Sequence, residues 1–60
     1  DLTDRQREVL EAAYQAGYFS WPRESTAEEV AESLGLASST LHAHLRKAET
    51  AILSGLLAGS

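Results

Sequence analysis

At 60 residues the chain holds one domain, and its 43% apolar residues suffice for a small core of marginal stability. Without cysteine there is no disulfide or Cys-based zinc site to staple it, and no apolar run approaches the roughly 20 residues of a membrane helix. Nine acidic against five basic residues give a net charge of −4, which opposes phosphate binding unless the few cations are gathered in one place.

The segments are clearly patterned, so a disordered chain is excluded. The start at Asp1-Leu2-Thr3 without an initiator Met leads us to expect a piece of a longer protein, with residues 58–60 as a tail.

A first helix is expected over residues 4–16. Thr3 and Gln6 form a capping box, each side chain bonding the other residue's backbone N–H, and Asp4 suits the positive helix end. Leu2, Val9, Leu10, Ala13 and Tyr14 recur at helical spacing, with Arg5, Arg7, Glu8, Glu11 and Gln15 opposite. Gly17 stops the helix, since glycine adopts the left-handed conformation without a steric penalty.

Residues 17–25 break the pattern, and Pro22 biases Trp21 toward an extended backbone. Three of the four aromatics lie here. Because core area is scarce, Phe19 and Trp21 are expected to fold back as a lid; the alternative is an aromatic surface for a partner or for base stacking.

A second helix is expected over residues 27–34. Thr26 and Glu29 form another capping box, Ala27, Val30, Ala31 and Leu34 make one stripe, and Gly35 ends it. Glu24, Glu28, Glu29 and Glu32 read as a solvated face rather than a catalytic pair, since a helix of two turns offers no cleft. After Gly35-Leu36-Ala37 a third helix is expected over residues 38–57, starting at Ser38 or Ser39. Its stripe is Leu41, Leu45, Ala48 and Ile52, and Gly55 weakens its end by about 1 kcal/mol relative to Ala.

The fold class is therefore all-α: a three- to four-helix bundle over residues 1–57 with a long C-terminal recognition helix. A short helix, a turn containing glycine and a second helix describe the helix-turn-helix. In that motif Leu36 plugs the angle between the helices, Ala31 permits their close crossing, and one face of the later helix is left to enter a DNA major groove. Advancing about 100° per residue from a buried Leu41 turns Ser39, Ala43, Arg46 and Thr50 outward, flanked by Thr40, His42 and Lys47. No acid occurs from Ser38 through Lys47, so the charge is segregated. The candidate DNA-contact set is Ser38, Ser39, Thr40, His42, Ala43, Arg46, Lys47 and Thr50. Ser39, Thr40 and Ala43 would face base edges, while Arg46 and Lys47 would hold phosphates; Arg46 could instead pair bidentately with guanine. The plainer alternative makes Arg46 and Lys47 ordinary surface cations with Glu32 and Glu49 nearby.

His42 and His44 point about 200° apart on a helix and so do not chelate one metal. His44 is expected to be half-buried, and His42 to touch a phosphate or face solvent. No cofactor is expected. With no nucleophile–base pair and no phosphate-cradling glycine loop, neither is an enzyme.

The run Leu2-Thr3-Asp4-Arg5-Gln6-Arg7-Glu8-Val9-Leu10 resembles the opening of sigma-factor region-four and response-regulator output domains. Gly17-Tyr18-Phe19-Ser20-Trp21-Pro22-Arg23-Glu24 closely resembles the helix-turn-helix domain of bacterio-opsin-activator-type regulators from halophilic archaea. Glu29-Val30-Ala31, Leu34-Gly35, Thr40-Leu41 and His44-Leu45-Arg46-Lys47-Ala48-Glu49 continue the similarity, which weakens after about Thr50. The resemblance implies a DNA-binding output domain, with sensory domains upstream in the parent protein, in a salt-rich cytoplasm. Two departures stand out. Ala37 occupies the usual place of a capping Ser, for which Ser38 is expected to substitute, and Thr50 and Ala51 follow Glu49 where basic residues are common.

Ala48, Ala51, Ile52, Leu56 and Leu57 extend an apolar face beyond what a small core covers. We expect this end (Ala51, Ile52, Leu56, Leu57) to pair with a second copy, as a homodimer, or with the upstream part of the parent protein, or else residues 51–57 to fold back on the first helix. A second function class is a protein-interaction module on the same scaffold, contacting the transcription machinery rather than DNA.

Overall fold

The computed structural model describes residues 2–59. Asp1 and Ser60, the first residue of the expected domain and the last of the expected tail, lie outside the described residues. Three helices follow one another: α1 Asp4–Gln15, α2 Ala27–Leu34 and α3 Ser38–Ala58. The described residues contain no strand.

Both expected capping boxes form. Thr3 Oγ1 accepts from Gln6 N–H and Thr26 Oγ1 from Glu29 N–H, while the Gln6 and Glu29 side chains accept from the two cap N–H groups. The helix ends also match each other. Tyr18 N–H reaches Ala13 C=O at 3.0 Å past Gly17, and Leu36 N–H reaches Ala31 C=O at 2.8 Å past Gly35. Both glycines are left-handed, with φ of 85° and 70°, which closes the last turn and reverses the chain. A Cβ at Gly17 would also meet Glu24 Cβ at 2.5 Å, so that position excludes a side chain twice over.

Helix α3 differs. Its N-cap is Ala37, extended at φ −73° and ψ 152°, with no side-chain cap bond. Ser38 does not take over the cap as expected. It already lies within the helix, half-buried, because the turn from Gly35 brings the chain into helical geometry at that residue.

The core is made of Val9, Ala13, Val30, Ala31, Leu41 and Leu45, with Leu10, Ala16, Tyr18, Ala27, Leu34 and Leu36 packed around it. Ala48 is also buried. Helix α3 is the spine on which α1 and α2 both pack, and they touch each other much less. Leu36 fills the angle after the turn, next to Ala31.

Two expectations about packing are corrected. Trp21 and Phe19 do not form the lid: Trp21 is 96% exposed and Phe19 43%, and Tyr18 seals the core instead. The loop is tied at its neck by Glu24 N–H to Gly17 C=O at 3.0 Å and Ser25 Oγ–H to Ala16 C=O at 2.7 Å. With its ends pinned together, only the residue next to the neck reaches inward, and the tip with Trp21 projects. The Trp21–Pro22 peptide is cis. Tyr14, placed on the apolar stripe, is 72% exposed, because the small Ala13 next to it takes the position facing the core.

Candidate nucleic-acid interface

The first three turns of α3 offer a face free of carboxylates. Leu41, Leu45 and Ala48 turn into the core, which fixes the rotation of the helix about its own axis. Ser39, Thr40, His42, Ala43, Arg46, Lys47 and Thr50 are then all exposed, while Ser38 and His44 are half-buried. Ser39, His42, Ala43 and Arg46 share one concavity of about 510 Å³ along α3, closed by Tyr18, Leu45 and Glu49. Thr40, Lys47 and Thr50 lie on the helix outside that concavity, as does Ser38 at its base. The eight candidate residues therefore divide into a clustered set of four and four that flank it.

The distribution of ion pairs sharpens the charge segregation. Arg5 pairs with Glu8 and Arg7 with Glu11 along α1, the second at 3.9 Å. Arg23, Arg46 and Lys47 make no ion pair among the described residues. Neither Glu32 nor Glu49 forms an ion pair with these cations, although Glu49 borders the same concavity as Arg46.

Sequence reasoning missed Arg23. Its Nε–H donates to Tyr18 C=O at 3.0 Å, and its guanidinium lies 4.5 Å from the Tyr18 ring centroid, a cation–π contact. Tyr18 is in turn braced edge-on by Phe19 at 5.1 Å. Because Tyr18 also walls the α3 concavity, this stack holds a third cation beside the candidate face. The only sequence signal was a basic residue inside an aromatic loop, and its direction depends on how that loop closes.

The arrangement suits electrostatic and hydrogen-bonding contact. No group of three metal-ligating side chains comes together among the described residues. None of their helices is long and apolar enough to cross a membrane.

Comparison with known proteins agrees with this geometry. Residues 2–54 match the model of a family described as a helix-turn-helix DNA-binding domain. A Haloferax volcanii protein whose name assigns it to transcriptional regulation is 64% identical over 87% of the chain, which covers 9% of that protein. The bacterioopsin transcriptional activator of Halobacterium salinarum is 49% identical over 82% of the chain and 7% of its own length. The transcriptional regulator NarO of Haloferax volcanii is 49% identical over 95% of the chain and 27% of its own length. The chain thus spans less than a third of each of these relatives. No solved structure matches it. With the family match, the named relatives and an all-helical fold in agreement, the chain belongs to the helix-turn-helix DNA-binding domains of bacterio-opsin-activator-type transcriptional regulators of halophilic archaea.

Proposed function

We propose that this domain reads DNA sequence with the first half of α3 in the major groove, as the output module of a longer cytoplasmic regulator that carries sensory domains upstream. The observation that carries the reading is the coincidence of two features on one helix face. The residues are small or hydroxylated early (Ser38, Ser39, Thr40, Ala43) and basic a turn later (Arg46, Lys47), and no carboxylate pairs with those cations. Small early residues let the backbone approach base edges, and cations further along meet the phosphates that flank the groove. His42 lines the same concavity as Ser39, Ala43 and Arg46, Thr50 lies outside it, and both would supply further hydrogen bonds to the DNA backbone.

Few cations mean few displaced counterions, so one copy binds weakly and salt weakens it further. A homodimer doubles those contacts. Ala51, Ile52, Leu56 and Leu57 are the residues we propose for pairing two copies. Leu2, Arg7 and Gly55 join Ala51, Ile52 and Leu56 around a shallow groove without a carboxylate, which suits a face that must meet its own copy. Two α3 helices would then address half-sites about one helical turn of DNA apart.

The test is a titration of the domain into labelled promoter fragments at several salt concentrations, as wild type and as Arg46→Ala/Lys47→Ala. Wild type is expected to bind with a negative slope of log affinity against log salt. The double variant is expected to lose binding, or to flatten the slope by about one per phosphate contact removed. Equal binding and equal slope in the two proteins would refute the assignment of this face.

A further inference from the structure

The molecule has a second concave surface, which shares only Glu49 with the α3 concavity. Leu10, Tyr14 and Gln15 of α1, Phe19 of the loop and Glu49 of α3 enclose a groove of about 540 Å³, with Glu11 at its rim. Its walls are mainly apolar and aromatic. Tyr14 and Phe19 are 72% and 43% exposed, a large apolar investment for a domain whose buried core is only a handful of side chains. Leu53, one helical turn beyond Glu49 on the same side of α3 and 53% exposed, lengthens the strip. An exposed apolar groove of this kind marks an interface.

The charges choose the occupant. The two charged groups on the groove are both carboxylates, Glu11 and Glu49. Glu49 makes no ion pair among the described residues, and Glu11 has only the loose, exposed contact to Arg7 at 3.9 Å. A nucleic acid is repelled by such a rim and finds no cation there. A second copy carries the same carboxylates and the same net charge of −4, so two-fold docking over this groove brings like charges together. A basic partner meets neither obstacle. Its apolar residues cover the floor, its Arg or Lys side chains pair with Glu11 and Glu49, and the exposed faces of Tyr14 and Phe19 accept cation–π contacts. Leu10 and Tyr14 stand one turn apart on α1, about 6 Å along the axis, which matches anchors spaced i and i+4 on a partner helix.

We infer that the Leu10–Tyr14–Phe19 groove is the docking site for a basic amphipathic helix, so that the domain would engage DNA on one face and that helix on another. The inference stands whether or not the α3 face reads DNA, because apart from Glu49, which borders both concavities, it uses different residues.

The experiment measures fluorescence anisotropy of two labelled peptides with the same helical apolar stripe, one flanked by Arg and the other by Glu. They are titrated with wild type, Tyr14→Ala and Glu11→Lys/Glu49→Lys. All three altered side chains are exposed, and retained helicity by circular dichroism confirms the fold. Wild type is expected to prefer the basic peptide at least tenfold. Tyr14→Ala is expected to lose at least tenfold in affinity for it, and the charge-reversed variant to prefer the acidic peptide. No binding of the basic peptide, equal binding of both peptides, or indifference to Tyr14→Ala overturns the proposal. So does loss of self-association by Tyr14→Ala in sedimentation, which would assign the groove to a second copy.

Discussion

Single residues decide how α3 starts and how the loop beside it is held. Thr3 and Thr26 each close a capping box, yet α3, the helix that carries the candidate face, begins on an uncapped Ala37. The backbone there is already in the extended conformation that a capping side chain needs. Ala37→Ser is therefore expected to stabilise the domain by about 0.5–2 kcal/mol. In a thermal melt followed by circular dichroism, each kcal/mol corresponds to about 4–8 °C in a domain of this size. An unchanged midpoint would mean that the α3 amides find other partners. Phe19 and Trp21 show the reverse case, in which residue type misleads. Both are large and apolar, and both were expected inside, but a loop tied at its neck buries only its first aromatic, Tyr18.

At the scale of elements, α3 carries two kinds of surface on one continuous helix. It runs 21 residues without interruption, from Ser38 to Ala58. Its first half supplies the candidate DNA face, and its second half carries Ile52, Leu53, Leu56 and Leu57 at 43–71% exposure. Gly55 does not break it: a Cβ there would meet no heavy atom within 4 Å. Gly55→Ala is expected to raise stability by about 0.5–1 kcal/mol, since alanine restricts the unfolded chain and helix propensity rises. A melt at low protein concentration measures this, and a lower midpoint would show that the backbone is approached closely at Gly55. Residues 51–57 do not leave the helix to fold back on α1. They stay in α3, and of them Ala51, Ile52, Gly55 and Leu56 share a shallow groove with Leu2 and with Arg7 of α1.

Across the whole molecule, three surfaces differ in chemistry: a basic hydroxylated face on α3, a carboxylate-free apolar strip at its end, and an acid-rimmed aromatic groove between α1 and α3. Apart from Glu49, which borders both the α3 concavity and the aromatic groove, their residues do not overlap, so each can be tested alone. If the C-terminal strip pairs two copies, sedimentation equilibrium of the wild type shows a dimer as concentration rises, and Leu56→Glu/Leu57→Glu stays monomeric. A variant that remained dimeric would remove that strip from the interface. Pairing also predicts that the variant binds DNA more weakly with the α3 face intact, because half of the phosphate contacts are lost.

Much of this molecule was legible in its sequence, and the reason is local. The capping boxes at Thr3 and Thr26, the left-handed closures at Gly17 and Gly35, and the stripe of Leu41, Leu45 and Ala48 act within one or two turns of the chain. They set the helices, the reversal between α2 and α3, and the rotation that turns Ser39, Ala43, Arg46 and Thr50 outward. Contacts between residues far apart in the chain were not legible. That Tyr18 rather than Trp21 seals the core, that Arg23 stacks beside the α3 concavity, and that Leu10, Tyr14, Phe19 and Glu49 converge on one groove all depend on how the loop closes over two helices. Spacing along a helix determines which way a side chain points from its own axis, but only the packing of one helix on another decides what it meets there.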